Sequence, residues 1–411
     1  MRASWSSARR LAHTVGVDNR SPDTERVALV GALDRVLAAD LLTPIPIPHY
    51  ASSAMDGWAV AGPGPWRLLA RDSADRARSD RIGSGEAVEV LTGGLIPTGA
   101  SAVLQSEHGV VTSVDGASLL RTAARAPLDE TRPGRHIREA GTESAAGSTL
   151  VAAGTRLGPV HLAVAAGGGF DTVEVLPRPR IGLVLTGDEV VTDGVPEPGR
   201  VRDSFGPSLP GVITALGGVI SGTVRVGDAR DATAAALGIG FGQASPESRA
   251  TDVIVTTGGT GASRADHVRA LLRGAGAEFL VDGIDVRPGG PALLARLPDC
   301  RLFVCLPGNP LAALLTVLTL VHPLLAGLQA QPLPALRRVA LASAVDPVRS
   351  ATTLRPYRAI REEGALEVTA EPTRWHGAAM LRGLADADGV LVCPAGGAAM
   401  GDAIPSLDLP W

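Results

Sequence analysis

The chain has 411 residues with a net charge of −4 at pH 7, 45% hydrophobic and 19% charged residues. That length carries two to four domains with sizeable cores, and the balance is that of a folded globular protein rather than a disordered one. With 3% aromatic residues and no basic excess, a groove or stacking platform for nucleic acid is not expected.

From the N-terminus, "MRASWSSARRLAHTVG" lacks the continuous apolar run of a secretory signal, and the stretch to Asn19 reads as a disordered start. "TPIPIPHY" (43–50) and "LPRPR" (176–180) then punctuate the first half, and "QAQPLPALRR" (329–338) the second; prolines at this density mark connections. Residues 46–140 contain short apolar segments, "EAVEVL", "SAVLQS", "GVVTSV" and "ASLLRT", separated by Gly, Ser, Asp and Pro. They predict a small β-rich domain.

Residues 179–329 read differently. "RIGLVLTGDE", "VISGTVRVG", "DVIVTTGG", "AEFLVDGIDV" and "RLFVCLPG" predict strands. "PSLPGVITALGG", "ARDATAAALGI", "ADHVRALLRGAG" and a long segment from Pro310 predict helices. Alternation of this kind means βαβ units around a mostly parallel sheet, a three-layer α/β domain. Within the last helix, "LAALLTVLTLVHPLLAGL" (311–328) is the most hydrophobic stretch, but His322-Pro323 interrupts it; it predicts a buried helix rather than a membrane span. Residues 330–411 again predict short strands with one helical segment near 376–386. Cys300, Cys305 and Cys393 form no CxxC pair and fit small buried hydrophobes in a reducing cytoplasm. None of the eight histidines lies in a zinc motif.

Three loops follow predicted strands directly: "TGDE" (186–189), "TGGTG" (257–261) and "PGNP" (307–310). In a parallel sheet the carboxyl ends of the strands form the ligand rim. Gly187, Gly258, Gly259, Gly261, Gly308 and the following helix starts can expose N–H groups to an anion, with Thr260, Ser263, Pro307 and Asn309 beside them. One helix start contributes only about 0.3–1 kcal/mol at an exposed site, so convergence matters more than any single loop. Asp188, Glu189 and Asp266 are predicted on the same rim, and carboxylates facing a phosphate are the setting of a divalent cation such as Mg²⁺. Neither a Walker pattern nor a GxGxxG after the first strand is present, which disfavours generic nucleotide hydrolysis and dinucleotide redox chemistry.

These loops, with "RPGGP" (287–291), resemble the central domain of the molybdopterin molybdenumtransferases, the MoeA type related to the gephyrin E domain. The likeness continues in "SSAMDGWAV" (52–60), "LTGGLIPTGASAVLQSE" (91–107), "GRHIREAGTE…GSTLVAAGTRLGP" (134–159) and "HGAAMLRGLADADGVLVCPAGG" (376–397), in the family's order. The resemblance implies a discontinuous α+β domain from 20–45 and 141–178, the β-rich 46–140 inserted into it, the molybdopterin-binding α/β domain 179–329, and a C-terminal β domain 330–411. It implies a cytoplasmic homodimer in which Asp56 of one subunit faces the rim of the other. The implied reaction takes adenylated molybdopterin and molybdate, needs Mg²⁺ and releases AMP. Asp56, Glu189 and Asp266 would hold the metal, Arg287 would neutralise an oxyanion, and Thr92 would join the substrate site.

The chain departs from the family pattern at several of these places. KPGKP is "RPGGP", so Arg287 replaces one lysine and Gly290 removes another; GGVSVG is "GGTGAS"; the C-terminal QSS is represented by "HGA" (376–378). Arg and Lys are not equivalent at a tight anion site. The pattern therefore admits a divergent insertase, a paralogue that binds pterin or nucleotide or acts as a scaffold without turnover, or, through "TTGGTG", an adenylyltransferase-like activity. Tungsten in place of molybdenum also stays open.

Overall fold

The computed structural model describes residues 2–69, 81–114, 116–238, 251–258, 267–348, 351–361 and 368–411. The chain divides into two compact units, Met1–Glu25 with Leu176–Trp411, and Arg26–Val175.

The larger unit is built on a six-stranded sheet in the order Val219–Val226, Arg180–Thr186, Val253–Thr257, Leu302–Leu306, Leu293–Arg296, Glu278–Asp282. The first four strands are parallel, and Leu293–Arg296 is antiparallel to both of its neighbours, Leu302–Leu306 and Glu278–Asp282. Val253–Thr257 and Leu302–Leu306 are buried at every residue, as unalternating apolar strands must be when both faces are covered. Leu183, Val255 and Val304 point into one core, with Leu209 and Ile213 of the helix Phe205–Ala215 and most of the helix Pro310–Leu328. Val184, Ile254 and Phe303 point into the other, with Leu271 and Leu272 of the helix His267–Gly274. This is the three-layer α/β arrangement.

Three expectations need correction here. The start of the chain is ordered: Trp5–Asp18 is a helix whose N-cap is Ser4. It buries Trp5, Ala8, Ala12, Val15 and Gly16, and a Cβ on Gly16 would come within 2.2 Å of the Leu324 carbonyl. The segment "AEFLVDGIDV" is two strands: at Gly283, with φ of +89°, the chain leaves the sheet and Ile284–Arg287 joins another one. The strand Leu293–Arg296 was not anticipated, since "PALLARLPD" is too short to separate from a helix by pattern.

Pro310–Leu328 is long and apolar enough to cross a bilayer by length and composition, yet 94% of it is buried within the protein. His322-Pro323 does not break it. A π-turn at Val317–Val321 carries the helix through the proline, which lacks the N–H for a regular bond. The indole of Trp5 donates to Thr319 Oγ1 at 3.1 Å and ties the first helix to this turn.

The C-terminal strands Thr352–Ile360, Thr369–Pro372, Arg337–Leu341, Ala403–Leu407 and Gly389–Cys393 pair in a closed ring, which leaves few free edges. Ile284–Arg287 and Ala3–Ser4 extend it from one side.

The smaller unit carries a six-stranded sheet ordered Ala102–Gln105, Gly57–Val60, Glu86–Val90, Trp66–Leu69, Ala117–Thr122, Gly109–Val114. A separate core of Leu37, Leu41, Val151, Leu157, Val173 and Val175 is closed by short pairings of Leu41–Leu42 with Thr149–Val151 and of Glu25–Ala28 with Thr172–Val175.

Candidate active site

The carboxyl ends of the parallel strands open on a cleft of about 700 Å³ lined by Thr186, Gly187, Glu189, Gly258, Pro307, Gly308 and Asn309, among others. Adjacency of the three strands forces adjacency of their loops. Thr186 Oγ1 donates to the Thr257 carbonyl, and the Gly258 N–H donates to the Leu306 carbonyl at 3.0 Å. Gly258 has φ of +78°, and a Cβ on it would stand 2.7 Å from Thr186 Oγ1; a side chain there would break the joint between the first two loops. Asn309 is the N-cap residue of the long helix, but its side chain caps nothing and remains available to a ligand.

Glu189 owes its place to a glycine. Gly187 has φ of +129°, and a Cβ there would lie 2.6 Å from Glu189 Oε2, so the carboxylate folds back over the bare backbone of the turn. Among the described residues it accepts no hydrogen bond. Its neighbour Asp188 turns the other way: its carboxylate packs where a Cβ on Gly227 would be, its carbonyl accepts from Arg200, and it does not line the cleft.

The cleft also contains residues that the sequence reading missed: Asp203, Ser204, Arg202, Arg225, Asp228, His267 and Ala379. Asp203 pairs with Arg225 and accepts the N–H groups of Phe205 and Gly206 at 3.0 and 3.1 Å, which anchors the start of Phe205–Ala215. Asp228 follows the end of the edge strand Val219–Val226, and "VRVGD" could have been read by the same strand-end rule as the other loops. Ala379 arrives from the C-terminal segment, held by the Ala312 N–H donating to the Ala378 carbonyl at 3.0 Å.

Gly259, Thr260, Gly261, Ser263 and Asp266 lie outside the described residues. Arg287, expected to neutralise an oxyanion, is exposed on the strand that pairs with Thr353 and is not among the residues lining this cleft. Pro291 of the same "RPGGP" loop does.

Asp56 and Thr92 belong to the smaller unit. The Thr92 N–H and Oγ1 donate to Asp56 Oδ1 at 2.6 and 2.9 Å. These bonds, the backbone one first, hold the Asp56 carboxyl below the usual carboxylate range. The turn that presents it needs Gly57, where a Cβ would meet the Leu104 carbonyl at 2.0 Å.

Comparison with known proteins now gives the arrangement a context. Residues 3–169 match the profile of the MoeA N-terminal region (domain I and II), 182–327 that of a probable molybdopterin binding domain, and 339–409 that of the MoeA C-terminal region (domain IV). A molybdopterin molybdenumtransferase of Synechococcus elongatus is 32% identical over 315 residues, covering 73% of this chain and 74% of that one. The chain belongs to the molybdopterin molybdenumtransferase family. A second relative, molybdopterin molybdenumtransferase 2 of Mycobacterium tuberculosis, is 29% identical over 90% of both chains. The fold of this transferase family member matches the molybdopterin biosynthesis MoeA protein of Pyrococcus horikoshii OT3 with a TM-score of 0.75 at 20% identity, over 99% of this chain and 100% of that one. The family is named for transfer of molybdenum to molybdopterin, a transferase reaction.

Proposed function

We propose that the chain inserts molybdenum from molybdate into adenylated molybdopterin and releases AMP, as a step of molybdenum cofactor biosynthesis. The observation that carries this reading is the cleft itself: glycine-containing turns at three adjacent strand ends line it, together with Glu189, whose carboxylate accepts no hydrogen bond among the described residues. The volume suits a nucleotide-sized ligand.

The chain's residues have distinct tasks in this account. The N–H groups of the Gly308 loop receive phosphate oxygens, and Arg202 balances their charge from the wall. Glu189 faces the scissile adenylate linkage, and Asp203 with Arg225 keeps the wall rigid through its hold on Phe205–Ala215. Such fixed charge and dipoles, set before the substrate arrives, are normally the largest catalytic contribution.

Mg²⁺ fits the donor chemistry, because Glu189 and Asp228 are hard oxygen ligands in the cleft. Among the described residues no three acids or histidines gather closely enough to hold an ion alone. Glu189 together with Asp266 and with Asp56 from a second copy of the chain would complete the set in a cytoplasmic homodimer, where the ion would neutralise phosphate charge during cleavage. Purified protein given adenylated molybdopterin should release AMP only with both Mg²⁺ and molybdate present. Tight binding without release would instead identify a paralogue that kept the pocket and lost the reaction.

A further inference from the structure

Glu130 of the smaller unit is 1% exposed although it sits among turns. An unpaired carboxylate in such a place costs several kcal/mol, so its partners matter. His108 Nδ1 lies 2.9 Å and His136 Nε2 3.5 Å from Glu130 Oε1, and the Gln105 N–H donates to the same oxygen at 3.3 Å. The other charges nearby are engaged elsewhere. Arg135 faces His136 Nε2 at 3.2 Å and Asp129 at 3.5 Å, and Arg125 reaches the Glu107 carbonyl at 3.5 Å. Burial pushes the Glu130 carboxyl up, but the close His108 imidazole, the Gln105 bond and His136 outweigh it and hold the group below the usual range.

None of these side chains touches Asp56, yet their main chains carry its loop. The Ala54 N–H donates to the His136 carbonyl at 2.8 Å, and the Ser106 N–H, next to Gln105, donates to the Asp56 carbonyl at 2.9 Å. Ser52–Ser53 pair with Ile137–Arg138. The turn 54–57 thus hangs between two segments, 105–108 and 136–138, and Glu130 is the buried tie that joins them. His136 takes φ of +57°, a conformation that costs an ordinary residue energy unless its surroundings hold it.

We propose that Glu130, with His108 and His136, is a positioning cluster that fixes the turn 54–57 and so the place of the Asp56 carboxylate. Its functional consequence rests on the reading of Asp56 given above; its effect on the loop does not, and can be measured without turnover.

The test uses the full chain without substrate. Glu130→Gln keeps the volume and an acceptor oxygen and removes the charge. Amide exchange at Ala54 and Ser106 should quicken about tenfold, above any change in the rest of the sheet. Leu120→Ala, in the fully buried core of the same sheet, should lower the melting temperature and raise exchange evenly, with no excess at Ala54 and Ser106. Should Glu130→Gln not fold, His108→Gln should show the same changes more weakly. Unchanged exchange at Ala54 and Ser106, or exchange raised evenly across the sheet, would overturn the proposal. Quickened exchange at Ala54 and Ser106 with AMP release intact would support the tie and remove Asp56 from the site.

Discussion

Glu189 and Asp56 are both exposed acids on glycine turns, and the family resemblance assigns them to one metal site, but the two units treat them differently. Asp56 is held by two bonds from Thr92 and is kept ionised below the usual range. Glu189 is placed by the shape of its turn at Gly187 and, among the described residues, accepts no hydrogen bond. A carboxylate with its lone pairs engaged is preset in direction and charge. One with them free is left for a ligand. In the proposed site Glu189 would bind through lone pairs left free, and Asp56 would offer Oδ2 in a direction fixed by the Thr92 bonds to Oδ1.

The largest effect should come from the free carboxylate. Glu189→Gln should lower AMP release about 10²–10³-fold, because the charge acts on the transition state, with the melting temperature within a degree or so of wild type. Near-normal turnover would end the distinction drawn here. Gly187→Ala should cost about 1 kcal/mol of stability from its positive φ. It should reduce release about tenfold by pushing the Glu189 carboxylate off the turn. A stability loss without loss of release would show that the exact seat of Glu189 is unimportant.

Acid sensitivity sharpens the other side. Glu130 has a lowered pKa, so it contributes stability above the unfolded carboxylate value near ~4.3 and loses it as pH falls through its own lower value. Thermal melts of wild type and Glu130→Gln should differ by about 1–3 kcal/mol at pH 7 and converge on the acid side of that window. The smallest effect belongs to Thr92→Val. It removes the hydroxyl bond but keeps the stronger backbone one, so the Asp56 carboxyl should rise only slightly. The acid limb of the rate profile should move to higher pH by that amount, with no change near neutrality.

The rim was legible because its signals are local. A buried apolar run followed by Gly and a polar residue states both the end of a strand and the room for a ligand, as at Thr186–Glu189 and Leu306–Asn309. What escaped the sequence depends on distant partners. Asp203 and Arg225 meet only once Val219–Val226 lies beside Arg180–Thr186. The first helix reads weakly because its buried face is largely Ala and Gly, and the contact that orders it, Gly16 against Leu324 and Gly327, joins residues over 300 positions apart. Arg287 was placed by a motif, whereas pairing with Thr353 turned its strand into the C-terminal ring.

The central claim, that Glu189 of one chain and Asp56 of another complete one site, is tested most directly by mixing two inactive variants. Asp56→Asn and Glu189→Gln, unfolded and refolded together, should recover roughly a quarter of wild-type AMP release, because a mixed dimer has one intact site of two. No recovery from a mixture shown to contain mixed dimers would contradict the shared site.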